Sequence, residues 1–322
     1  MIVAVTVQAC IHPSPERPAV PAEQVDMTPW EESAEVRELL VGTFAPGEGE
    51  PAGAVLIYLK TQDPFYRAWS RIDGTPPEGE PDFDPHALLD EVLRARRRAT
   101  VLYPMSRHAW QGVGEFFWRR YYWRPRRADL REAVTAYIRA AELVIPYASA
   151  NGDRDFQSAA TYAALGLVAL SDTATLDVFF AKTKGTEAWA LAREIYVVAL
   201  GRLDDPRADA MFRELLAEHP QYPWSYIEYL IDRGRYEEAL RLIDGRPLRG
   251  YPTDHVRRGS LLERLGRFSE AEAEYQKYRA DPQPFLGGYI FPLPKRYRVP
   301  GSTLQTGMKF RPDSDALPKP QD

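Results

Sequence analysis

Gly234-Arg235-Tyr236-Glu237-Glu238-Ala239-Leu240 and Gly266-Arg267-Phe268-Ser269-Glu270-Ala271-Glu272 are two copies of one pattern, 32 residues apart. The glycine lets the backbone turn between two helices without a Cβ clash. The aromatic is placed to pack back over that turn, and the small alanine lets the second helix approach the first closely. Around the second copy, Gly259 and Leu262 occupy close-packing positions of a first helix, Tyr275 and Tyr278 those of a second, and Pro282 ends the unit. Repetition at this period reads as stacked helical hairpins.

The pattern continues upstream. Ala208, Phe212 and Leu215 mark an earlier second helix, with Ala208 lying 31 residues before Ala239 and His219-Pro220 at its end. Its first helix begins near Trp189, and Leu203 stands at the turn position. A further copy is read in Leu130, Glu132-Ala133, Tyr137 and Ala140, ended by Pro146. The chain resembles the tetratricopeptide-repeat (TPR) family over residues 186–284, and more thinly back to about residue 107. Two departures stand out: Arg258 where the family has Leu, and the loop from Asp244 to Pro252 where a second helix would end.

The resemblance implies an all-α fold, a TPR-like α-hairpin solenoid, with a small irregular N-terminal part and an extended C-terminal tail. It also implies a binding groove lined by first-helix residues: Arg193, Trp224, Glu228, Asp232, Ser260 and Glu263. Val197 falls on the same face, where internal packing is the simpler expectation.

Four segments are expected: residues 1–29, an apolar end and Pro-rich tether; 30–84, a small N-terminal segment; 85–284, the helical repeats; and 285–322, the tail. Trp30 to Val41 reads as a short amphipathic helix. Ala54 to Lys60 is the best strand candidate, although periodicity does not separate a strand from a helix over so short an apolar run. Asp84-Pro85 is a helix start, because Asp caps free amides and Pro at the first helical position loses no hydrogen bond.

Composition narrows the function. The net charge of -5 over 322 residues argues against a dedicated nucleic-acid binder. Charge is unevenly spread, however, acidic from Glu16 to Glu91 and strongly basic from Arg94 to Arg131. A single cysteine, Cys10, excludes intramolecular disulfides and thiolate clusters. The histidines, His12, His86, His108, His219 and His255, lack the spacing of a metal-binding helix face. Val7-Gln8-Ala9-Cys10 is similar to the end of a bacterial lipoprotein signal, in which the cysteine is lipidated, and a Pro-rich stretch follows from Pro13 to Pro21. The basic start of such a signal is missing, and the apolar run is short for one.

The most unusual stretch runs from Glu115 to Arg127. Within it Trp118, Arg119, Arg120, Tyr122, Trp123, Arg124, Arg126 and Arg127 form a basic and aromatic patch. Such residues fill gaps between hairpins while their arginines reach solvent, or they contact a protein or membrane surface, or they stack on bases and pair with phosphates, which the net charge disfavours. No catalytic motif emerges. The carboxylate pairs lie at helix starts and in acidic loops, Gly112-Val113-Gly114 lacks phosphate-loop spacing, and no serine sits in a nucleophile elbow. The chain therefore reads as a non-catalytic protein-binding scaffold or accessory subunit of an envelope complex. In that reading it needs no cofactor or metal, takes protein partners rather than nucleic acid, and is lipid-anchored through Cys10 on the periplasmic side of a bacterial envelope. The alternatives are a cytoplasmic TPR adaptor and an enzyme or enzyme subunit with a site in residues 30–110.

Overall fold

The apolar run at Ala54–Lys60 follows helical spacing rather than strand alternation. In the computed structural model it lies within helix α1 (Ala52–Ile72). Ile57, Thr61, Phe65 and Trp69 are all buried at four-residue intervals, so one stripe carries the burial through the turn containing Pro64. The structure describes residues 51–74, 79, 82–148, 154–218, 224–245 and 252–280. Cys10 and its tether, the Trp30–Val41 segment, His12, His219 and the tail after residue 280 lie outside them.

The described residues form twelve α-helices and no strand. After α1 come α2 (Pro85–Leu102), α3 (Arg107–Trp123), α4 (Arg127–Val144), α5 (Arg154–Leu170) and α6 (Thr173–Ala181). Then follow α7 (Trp189–Arg202), α8 (Arg207–Glu218), α9 (Trp224–Asp232), α10 (Tyr236–Asp244), α11 (Pro252–Arg264) and α12 (Phe268–Ala280). The chain divides after Phe116 into two units.

In the first unit, α1 packs on α2. Asp84 caps α2 as its sequence implies, accepting from the backbone N–H of His86 at 2.9 Å and of Ala87 at 3.3 Å. Ala54, Ile57, Ala95, Ala99 and Ala109 form a core of mostly small side chains, with Tyr103 packed against it. Gly53 faces the Tyr103 ring so closely that a Cβ would collide with it.

In the second unit, α4 and α5 form a close antiparallel-type pair through small residues. Ala133, Ala136, Ala140 and Ala141 are buried on α4, and Ala159, Ala160, Ala163 and Ala164 on α5. A Cβ at Gly166 would meet Val134. From α5 onward the helices pair into four hairpins, α5–α6, α7–α8, α9–α10 and α11–α12, and each hairpin packs on the next.

The four turns share one geometry. Ser171, Asp204, Gly234 and Gly266 hold left-handed φ values of 55°, 59°, 70° and 74°. In each turn the following amide donates to a leucine carbonyl five residues back: Asp172 to Leu167, Asp205 to Leu200, Arg235 to Leu230 and Arg267 to Leu262, at 2.8 to 3.0 Å. This is the Schellman closure of a helix C-terminus. The turn residues lie 33, 30 and 32 positions apart, so the repeat reaches back to Ser171, a copy that the sequence pattern does not announce. The first-helix register of the second hairpin is set by Asp204 rather than Leu203, whose φ is an ordinary -86°.

Candidate functional site

Successive hairpins are joined by a recurring polar latch. Eight residues before each of the last three turns stand Tyr196, Tyr226 and Arg258. Each donates backward to an aspartate on the second helix of the preceding hairpin: Tyr196 to Asp177 at 2.6 Å, Tyr226 to Asp209 at 3.1 Å, and Arg258 to Asp244 at 2.6 Å. Arg207 adds 3.1 Å contacts to Asp177, and Arg235 a 2.6 Å contact to Asp209. Burial, with the hydrogen bond to Asp177, pushes the Tyr196 hydroxyl up to about 12. Burial alone would raise Asp209, but hydrogen bonds from Arg235 and Tyr226 hold it below the ordinary carboxylate range. Arg258, the departure from the repeat pattern, is thus a latch residue.

The latch leaves the opposite face of the first helices half exposed. Trp224, Glu228 and Asp232 follow one another down α9, with Asp232 the most exposed. The Arg257 guanidinium of α11 lies over the Trp224 ring at 4.1 Å, a cation–π contact. Burial pulls the Arg257 pKa down, opposed by the charges of Glu228 and Asp254. Ser260 is half buried on α11, and Glu263 accepts the Tyr275 hydroxyl at 3.1 Å. The structure therefore brings Trp224 and Glu228 of α9 together with Arg257 of α11.

Arg193 and Val197 do not join them. Val197 is fully buried, and Arg193 pairs with Glu214 at 3.2 Å and Glu218 at 2.5 Å on α8. Because the turn falls on Asp204, the residues equivalent to Trp224, Glu228 and Asp232 are Glu194, Val198 and Arg202. Glu194 accepts from the Ser225 hydroxyl at 2.5 Å. In the first hairpin the same count falls on Thr161, Leu165 and Ala169, all half buried. On α11 the same count falls on buried Val256, half-buried Ser260 and Arg264, so the face is uncharged on α5 and carries its charges on α7, on α9 and at the end of α11. The one-residue offset is hidden in the sequence because aspartate, not glycine, takes the left-handed position.

The basic and aromatic patch splits in two. Trp118 is buried, with ring centroids 5.1 Å from Tyr162 and 6.1 Å from Tyr137. Arg120 pairs with buried Asp129 at 2.5 Å and lies over the Phe117 ring at 4.6 Å. These residues hold α3 against α4 and α5. Arg127 is half buried and donates to the Leu170 carbonyl at 3.4 Å. Arg119 is half buried; Tyr122, Trp123, Arg124 and Arg126 are exposed, with Arg124 over the Trp123 ring at 4.2 Å.

The first unit holds a buried polar cluster that the sequence does not signal. Glu115 accepts from the Tyr58 hydroxyl at 2.6 Å, Gln62 at 3.0 Å and Gln111 at 3.3 Å. Arg96, fully buried, lies 3.7 Å from the same carboxylate, donates to the Gly112 carbonyl at 2.7 Å and to Thr61 at 3.1 Å, and stacks over Phe65 at 4.4 Å. Both carboxylate oxygens are engaged, so the cluster is arranged as an anchor between α1, α2 and α3. Burial, and then the charge of Glu115, push the Tyr58 hydroxyl up.

Among the described residues no group of His, Cys, Asp and Glu is placed to hold a metal ion, and no helix is long and apolar enough to cross a membrane. Compared with known proteins, the chain matches no family model and no curated protein.

Proposed function

We propose that the chain is a non-catalytic scaffold of TPR-like hairpins that binds protein partners, tethered to a bacterial envelope through lipidated Cys10. The observation that carries the binding reading is the recurrence of turn and latch through the hairpins. It holds successive first helices in one register and presents the Leu165, Val198, Glu228 and Ser260 positions side by side. A face held rigid before binding loses little conformational entropy on association. Uncharged positions at its start, with charges on α7 and α9 beside Val198 and Trp224, suit an amphipathic segment of a partner.

A photo-crosslinking residue placed singly at Val198, Glu228 and Ser260 in cells tests the binding reading. The same adduct at all three positions, absent when the residue is placed at exposed Gln276 on α12, is the expected result. Adducts at none of the three, or equally at Gln276, would remove the basis for the scaffold. Mass spectrometry of the native N-terminus tests the tether: a diacylglyceryl Cys10 is expected, and an intact Met1 makes the chain a TPR adaptor without a lipid anchor.

A further inference from the structure

Among the described residues of the first unit, the α2–α3 turn presents the densest run of exposed apolar side chains. Val101 and Met105 are each 64% exposed and Leu102 is 38% exposed. Three large apolar groups this exposed within five residues are uncommon on a protein surface. They project from a turn rather than line a groove, and the turn is held from behind. Tyr103 packs against the Ala54, Ile57, Ala95, Ala99 and Ala109 core.

The backbone of this tip is largely turned inward. The Tyr103 amide donates to the Ala99 carbonyl at 2.8 Å, and the Ser106 amide to the Tyr103 carbonyl at 3.0 Å. The Pro104 carbonyl accepts the Trp110 indole N–H at 2.9 Å, and Pro104 has no amide of its own. Ser106 accepts the Ala109 amide at 3.3 Å. With the Tyr103 and Pro104 carbonyls accepting from within the unit and no amide on Pro104, fewer peptide groups must be desolvated when the tip leaves water.

Arginines surround its base. Arg98, Arg97 and Arg94 lie one to two turns behind Val101 on α2, about 5 to 10 Å at the helical rise, and Arg107 opens α3. Arg94 and Arg97 are exposed and the other two half buried. The acidic Asp90 and Glu91 lie beyond this collar. Apolar side chains at the end with guanidiniums set back by that distance match the depth profile of an anionic bilayer, acyl chains below and phosphates above.

We propose that the Val101–Met105 tip inserts shallowly into anionic phospholipid, with Arg94, Arg97, Arg98 and Arg107 on the phosphates. Gly53 packs on Tyr103, so the chain enters α1 at the membrane-facing end of this unit. The contact does not rest on lipidation of Cys10, and removing that cysteine separates the two.

The test uses the full chain as Cys10→Ser, cosedimented with vesicles of phosphatidylcholine containing phosphatidylglycerol, and with phosphatidylcholine alone. Binding to the anionic vesicles, weakened by salt, is expected. Val101→Ser with Met105→Ser should lower the partition at least about tenfold, since each apolar side chain gives up transfer into lipid, as should Arg94→Glu with Arg97→Glu. Met105→Cys in the same background, carrying an environment-sensitive fluorophore, should shift to the blue on vesicle addition. Absence of vesicle binding, or binding without that shift, overturns the proposal. Binding to a poly-glutamate peptide in place of vesicles also overturns it, in favour of an acidic protein partner.

Discussion

Arg258 donates to Asp244 of the preceding hairpin at 2.6 Å, from the helical position where Tyr196 and Tyr226 reach back to their own aspartates. A second contact, 2.7 Å to buried Glu274, ties it to α12. Arg258→Leu supplies the residue of the repeat pattern but removes donors from two carboxylates, one of them buried. It is expected to lower stability by about 1 to 3 kcal/mol, read from urea unfolding of the purified chain.

Acid should loosen the hairpin stack. Glu274 is buried, which alone would raise it, but hydrogen bonds from Lys277 and His255 and the charge of Arg258 hold it below its ordinary value. Asp209 behaves alike. Carboxylates depressed in the folded state contribute stability above their unfolded pKa of about 4, and this is lost as pH falls through the folded values. Melting temperature measured from pH 7 down to pH 3 should drop, and Asp209→Asn with Glu274→Gln should start lower and show a shallower drop.

At high pH the sign reverses for tyrosine. The Tyr196 hydroxyl, pushed to about 12 by burial and by the bond to Asp177, favours the neutral form in the folded chain. The stability it contributes is present below the ordinary tyrosine pKa of about 10 and fades as pH rises towards the folded value. Tyr196→Phe should give less tyrosinate absorbance change at the upper end of an alkaline titration.

The turns offer opposite outcomes. Gly266→Ala places a Cβ on a left-handed residue with open space around it, costing about 1 kcal/mol. Ser171→Gly relieves the same strain at φ 55° and is expected to raise the melting temperature. Gly259→Ala meets the Tyr275 ring at 2.7 Å and should cost about 1 to 3 kcal/mol through overpacking. Thermal unfolding by circular dichroism ranks the three.

In the first unit, Glu115→Ala leaves the Arg96 guanidinium buried without its carboxylate. A loss of about 3 to 5 kcal/mol is expected. The double change Arg96→Met with Glu115→Leu should recover much of it, whereas additive losses in the cycle would show that the two do not act as a pair.

Much of this architecture is legible in the order of residues. Gly234 and Gly266 mark turns because glycine alone enters the left-handed region without cost, and both adopt it. Asp84-Pro85 starts a helix because a cap and a first-turn proline are local chemistry. Ala239 and Ala271 are buried, as small residues at a close helix contact must be. All three signals act within a few residues, so tertiary context does little to override them.

What tertiary structure decided concerns partners distant in sequence. The helical state of Ala54–Lys60 followed from the four-residue stripe through Trp69. Ser171 and Asp204 became turn residues because the hairpins that they close fit together, since neither enters the left-handed region as freely as glycine. The latch aspartates, and the Glu115 carboxylate whose donors Gln62 and Tyr58 lie 53 and 57 positions away, were chosen by which helices came to lie side by side. Local sequence carries backbone preference at about the scale of one residue's conformational free energy, so it determined the helices and their glycine turns. The pairing of charges between hairpins depends on burial that exists only once the hairpins have packed.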